Sequence, residues 1–200
     1  MPRLLLRYTG ILVLVALFLF VYAAPATELA EEVDTPADVQ EAFAAVMSVI
    51  THPRCMNCHP SDDYPRQGKG DRLHRFNVQR GADGHGVPGL TCQSCHQQEN
   101  NSFSGVPGAP HWHLAPKSMG WMGLSQVEIA RAMLNPEKNR GRTLEETVAH
   151  LTEDELVLWA WSPGVDQAGN PRERPPLSKE EWIKAVKTWA AAGAPIPEKK

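Results

Sequence analysis

The sequence predicts a mainly α fold whose helices are joined by long irregular loops. Three observations carry that prediction. Four S/T-x-x-E patterns, of the kind that cap helix N-termini, lie beyond Gly123. An apolar stripe at helical spacing runs through residues 36–50. Between these regions, from Pro60 to Gly123, proline and glycine are frequent and no periodicity is sustained, in a chain with 17 Pro and 15 Gly. No segment reads convincingly as a strand.

Residues 1–26 read as an export sequence or an N-terminal membrane anchor. Arg3 and Arg7 precede an unbroken apolar run from Ile11 to Tyr22, and small residues around Ala24-Pro25-Ala26 offer a cleavage site. Left uncut, the 19 mostly apolar residues from Tyr8 to Ala26 approach the ~20 that span a bilayer. Either way the remainder is expected in an extracytoplasmic compartment, the periplasm, touching a membrane only if the leader is retained. Loss of Arg3 and Arg7 takes the formal charge from −3 to −5. An acidic chain argues against nucleic acid and is compatible with a basic patch on a protein partner.

The first helix is expected over 36–50, with Thr35 as N-cap, Pro36 in the first turn and Val39, Phe43, Val46, Met47 and Ile50 on one face. His52-Pro53 ends it and leads into Cys55-Met56-Asn57-Cys58-His59. A second copy, Cys92-Gln93-Ser94-Cys95-His96, follows. Each is C-x-x-C-H, the attachment pattern of a c-type haem. Two thiols three residues apart share one face of a helical turn, so both can add to the porphyrin vinyl groups. The histidine that follows is carried under the ring to bind iron. The two motifs use all four cysteines. A zinc ribbon would separate its knuckles by about 15–20 residues, whereas Cys58 and Cys92 enclose 33. A thioredoxin-like site would need one C-x-x-C beside a βαβ pattern, which is absent.

Two covalently bound haem c groups are therefore expected, with His59 and His96 as proximal iron ligands. The fold is then cytochrome c-like, residues 27–200 forming one dihaem domain. Haem-wrapping loops occupy about 51–123 and helices about 124–193. Two porphyrins would supply core to an irregular chain with no sheet or bundle beneath them. Ser125/Glu128, Thr143/Glu146, Thr152/Glu155 and Ser178/Glu181 predict helices near 126–134, 144–150, 153–161 and 179–192. The glycine-rich stretch 80–86 is a loop without the context of a phosphate site.

The sixth iron ligands have several candidates. His74, fifteen residues after His59, has the reach to cross a haem, or is a surface histidine among charges. His150, at the end of a predicted helix, is a ligand or a dipole-satisfying terminal histidine. His111 or His113 is a reserve, with one facing inward if the segment is extended. His85 sits in a turn, and His52 is too near the first motif to serve it. Met119 and Met122 flank Gly120-Trp121, Met119 in a proline-rich loop where it is either a ligand or core. Methionine would raise a haem's potential relative to a second histidine. The six tryptophans are expected to pack rather than relay radicals.

The flanks carry a resemblance. His52–Pro60, Gly105-Val106-Pro107-Gly108-Ala109-Pro110, Trp112, Leu114-Ala115-Pro116, Met119-Gly120-Trp121 and Trp159-Ala160-Trp161 resemble exported dihaem cytochromes that often carry the label isoquinoline 1-oxidoreductase subunit. The similarity spans about 51–164. Isoquinoline oxidoreductase proper resembles molybdenum hydroxylases with iron–sulfur clusters, for which this chain has no spare cysteine. The resemblance thus implies a companion cytochrome that accepts electrons from such an enzyme. The function expected is electron transfer between protein redox partners, with no catalytic residue. The alternative is a dihaem peroxidase-like enzyme with one open haem, a group that resembles much longer chains.

Overall fold

The computed structural model describes residues 36–198, which fall in one unit of the chain. The leader and the Thr35 cap lie outside the described residues. The first helix, α1 (Pro36–Ile50), buries Val46, Met47, Val49 and Ile50. The short α2 (Pro53–Met56) starts on a proline, whose fixed φ suits a first turn. Two hairpins follow, each of two-residue strands: β1 (Arg66–Gln67) with β2 (Arg72–Leu73), and β3 (Gly86–Val87) with β4 (Leu90–Thr91), both antiparallel. They correct the expectation of a strand-free chain. Strands this short are too brief for alternation to show in the sequence.

Beyond the loops come α3 (Gln126–Met133), α4 (Leu144–Glu153), α5 (Glu155–Leu158) and α6 (Lys179–Ala191). Ser125, Thr143 and Ser178 each close a complete capping box with Glu128, Glu146 and Glu181. Thr152 does not. α4 runs on to Glu153, Thr152 turns its hydroxyl back to the Val148 carbonyl (2.9 Å), and Asp154 caps α5 through Leu156 N–H (2.9 Å). Replacing Ser178 by alanine should cost about 1 kcal/mol, read from urea unfolding.

Helix α6 packs on α1 and α4, with Trp189 edge-on to Phe43 at 6.0 Å and Trp182 donating its indole N–H to Leu151 O (2.9 Å). Ile129 and Met133 of α3, with Trp161, Met119 and Trp121, complete one apolar cluster, and Cys55, Met56 and Ala115 rest on it. The first motif therefore sits on a helical core. This corrects the expectation that loops wrap cofactors with no bundle beneath. Among the described residues no helix is long and apolar enough to cross a membrane.

Candidate functional site

Both C-x-x-C-H segments fold as one helical turn. In the first, Cys58 N–H donates to Cys55 O (3.1 Å) and His59 N–H to Met56 O (3.0 Å). In the second, Cys95 and His96 N–H both donate to Cys92 O, at 3.2 and 2.9 Å, around a 3₁₀ turn at Cys92–Ser94. All four cysteines are free thiols. Burial pushes the Cys55 thiol up to about 12 and Cys58 to about 11. Such an environment disfavours thiolates and costs a neutral thioether nothing. Among the described residues no three His, Cys, Asp or Glu side chains gather around a point a metal ion could occupy.

The two histidines are held in the same way. His59 Nδ1 donates to Met119 O (2.8 Å), and His96 Nδ1 to Pro107 O (2.7 Å). A carbonyl only accepts, so the proton is on Nδ1 and the Nε2 lone pair is free for a metal. Each imidazole also lies flat on an indole: His59 on Trp121 at 3.4 Å and 12°, His96 on Trp112 at 4.4 Å and 3°. Burial lowers the pKa of both imidazoles, that of His59 to about 3. Each acceptor carbonyl precedes a glycine. A Cβ on Gly120 would meet Ser61 Cα at 2.6 Å, and one on Gly108 would meet Glu99 O at 2.1 Å. Glycine thus lets each acceptor segment lie against the chain just past its motif. The paired x-Gly steps were the available sequence signal for Met119 and Pro107, which the motif reading missed, as it missed Trp112 and Trp121.

His74 is brought to a motif histidine, and His150 is held by Asp154. The β1–β2 hairpin hangs from the first motif through Asn57 Nδ2 to Gly68 O (2.9 Å) and Arg66 N–H to Asn57 O (3.3 Å). It delivers His74 to the second motif, where its ring centre lies 5.9 Å from that of His96. An ion bonded to two imidazole nitrogens at about 2 Å each would hold their ring centres about 6 Å apart. His150 lies in the last turn of α4, as expected, and a charge on it would help hold the His59 pKa down. Nδ1 of His74 bonds to Arg75 O (2.8 Å) and Nδ1 of His150 to Asp154 Oδ2 (2.9 Å), which again leaves Nε2 free. The His150 hydrogen bond in turn holds the Asp154 carboxyl below its usual range.

The reserve candidates are placed differently. His52 Nδ1 accepts from Arg54 N–H (3.2 Å), which puts its proton on Nε2. His113 stacks on His85 at 5.0 Å, and His111 is exposed with φ 56°, so that segment is not extended. Met119 buries its side chain in the helical core while its carbonyl holds His59, on the side away from Nε2. This removes Met119 from the ligand candidates for that site. Met122 uses its carbonyl to accept from Ser61 Oγ (3.1 Å).

The two sites are linked. Cys92 Sγ lies 3.8 Å from Gly84 O, which accepts from Leu114 N–H, and the next residue, Ala115, donates to Cys58 O (3.0 Å). A charge on Cys92 is felt at the Cys58 thiol. Buried Arg80 donates to the carbonyls of Pro60 (2.7 Å), Asp62 (2.9 Å) and Ala115. Two further buried donors beside the first motif, Arg54 Nε and Trp121 Nε1, have no partner. Haem carboxylates would supply the missing acceptors, and on this ground together with the neutral thiols the residues fit the group. An open cleft of about 770 Å³ lined by Glu99, Asn100, Gly108, Trp159 and Arg174 has no cysteine or histidine in its walls and borders the second motif through Gly108 and Trp159.

No family model matches the chain, and neither does any curated protein or solved structure.

Proposed function

We propose that this chain is an exported dihaem c-type cytochrome that carries electrons between protein partners. One haem would be linked at Cys55 and Cys58 and the other at Cys92 and Cys95. The observation that carries the reading is the placement of His74 against His96, with ring centres 5.9 Å apart, and by analogy His150 is the proposed partner of His59. All four have Nδ1 committed to an oxygen and Nε2 free. When bound, each haem supplies a one-electron ferric–ferrous couple. His59 with His150 and His96 with His74 would hold the two haems, and the chain's part would be to present these imidazoles and keep water from them. Two strong ligands favour electron transfer over catalysis at an open site, and a bis-histidine set favours low potential.

Met119 O and Pro107 O set the orientation of the proximal rings, while Trp121 and Trp112 prevent them from turning. Arg54 and Trp121 Nε1 are suited to hold carboxylates of the first haem. The residues predicted to form an export leader or anchor support a periplasmic location, soluble or membrane-tethered, where c-type haem is attached. The resemblance described above suggests a molybdenum hydroxylase-type donor.

Mass spectrometry of the exported protein tests the reading. An increment of two haems is expected, abolished pairwise by Cys55→Ala/Cys58→Ala and Cys92→Ala/Cys95→Ala. A folded, colourless product would overturn it.

A further inference from the structure

The β1–β2 hairpin and the residues after it form a surface of unusual make-up for this chain. Over residues 66–76 there are four cations, Arg66, Lys69, Arg72 and Arg75, against one carboxylate, Asp71, in a chain of net charge −3. Two large apolar side chains lie among them in the open: Leu73 is 60 % exposed and Phe76 79 %. Phe76 and Asn77 both have left-handed backbone, φ 63° and 52°. For a bulky residue this is an unfavourable conformation, and here it presents an aromatic ring to solvent. Between Leu73 and Phe76 sits His74, facing His96.

A second loop adds to this surface. Arg75 Nη1 bonds to Gln167 Oε1 (3.1 Å), and a Cβ on Gly105 would meet Gln167 N at 2.4 Å. The 101–106 loop therefore abuts the same turn as the hairpin, and its Phe103 is fully exposed. Exposed apolar groups set among charges mark an interaction site, and here Arg72 and Arg75 outnumber the neighbouring Asp71, so the surface favours an acidic partner.

We propose that this surface, around His74, is where an acidic one-electron carrier protein docks. The proposal rests on the dihaem reading above, since it makes the His74–His96 haem the port for exchange. Arg72 and Arg75 steer the partner's carboxylates, and Leu73, Phe76 and Phe103 supply the dry contact. Lys69 is ion-paired to Glu173 and Arg66 to Asp62, so their charge is partly neutralised at home.

Stopped-flow reduction by reduced flavodoxin, an acidic donor used as the probe, tests this. One electron leaves the flavin and reduces one ferric iron to ferrous. The second-order rate should fall with ionic strength. Arg72→Glu should lower it at least fivefold at low salt, and Phe76→Ser severalfold at any salt. Lys187→Glu on exposed α6 should leave it within twofold. Haem content measured on the same samples separates the two claims: haem-free protein overturns the dihaem reading. Full haem with rates unchanged in both hairpin variants, or a rate that rises with salt, overturns the docking surface alone.

Discussion

Replacing His74 by alanine is expected to convert one haem iron, and only one, from low spin to high spin. The ring centre of His74 lies 5.9 Å from that of His96, at the separation expected for a shared ion, and its Nδ1 is already committed to Arg75 O. Alanine removes that imidazole, and His85 is stacked on His113. His150→Ala should do the same to the other iron, because His150 is the proposed partner of His59 and its Nδ1 is committed to Asp154. The double variant should show two high-spin centres by EPR, each open to peroxide. If a single replacement alters both irons, or neither, the pairing is wrong. Asp154→Asn is a milder case. It keeps a hydrogen bond to His150 Nδ1 but removes the carboxylate, so the first haem's potential should rise as its ligand becomes less basic.

Arg80→Met should be the most damaging single change away from the motifs. The guanidinium is only 4 % exposed and is bonded to three backbone carbonyls, with Asp63 at 3.8 Å as counter-charge. Methionine fills much of the volume but strands those carbonyls. At about 1–3 kcal/mol for each buried group left unsatisfied, the loss should total about 3–5 kcal/mol. Ala115 is one of the residues freed, and its N–H holds Cys58 O. Urea unfolding of the purified protein measures the loss. A change below 1 kcal/mol would mean that water replaces the guanidinium and that Arg80 does not join the two sites.

What was legible in the sequence was what is local. Ser125, Thr143 and Ser178 announce their helices because a cap and its glutamate lie within one turn of chain. Thr152 misled for a local reason as well: Asp154, two residues on, is a better cap and is also drawn to His150. That aspartate, one turn beyond His150, marks the end of the helix whose last turn holds the histidine. The helical core under the first motif was illegible because it depends on Trp182, Val186 and Trp189 meeting α1 across more than a hundred residues. For the same reason the fifteen-residue spacing from His59 to His74 showed reach without showing direction. The hairpin spends that reach on the other motif.

That crossing has a consequence for how the polypeptide can be divided. Its middle stretch, 107–121, gives Pro107 O and Trp112 to one imidazole and Met119 O and Trp121 to the other. The hairpin rooted at the upstream motif meanwhile lends its histidine downstream. Severed between the motifs, neither fragment would retain a full set of axial and orienting groups. The pair is plaited, and it must mature as a single object.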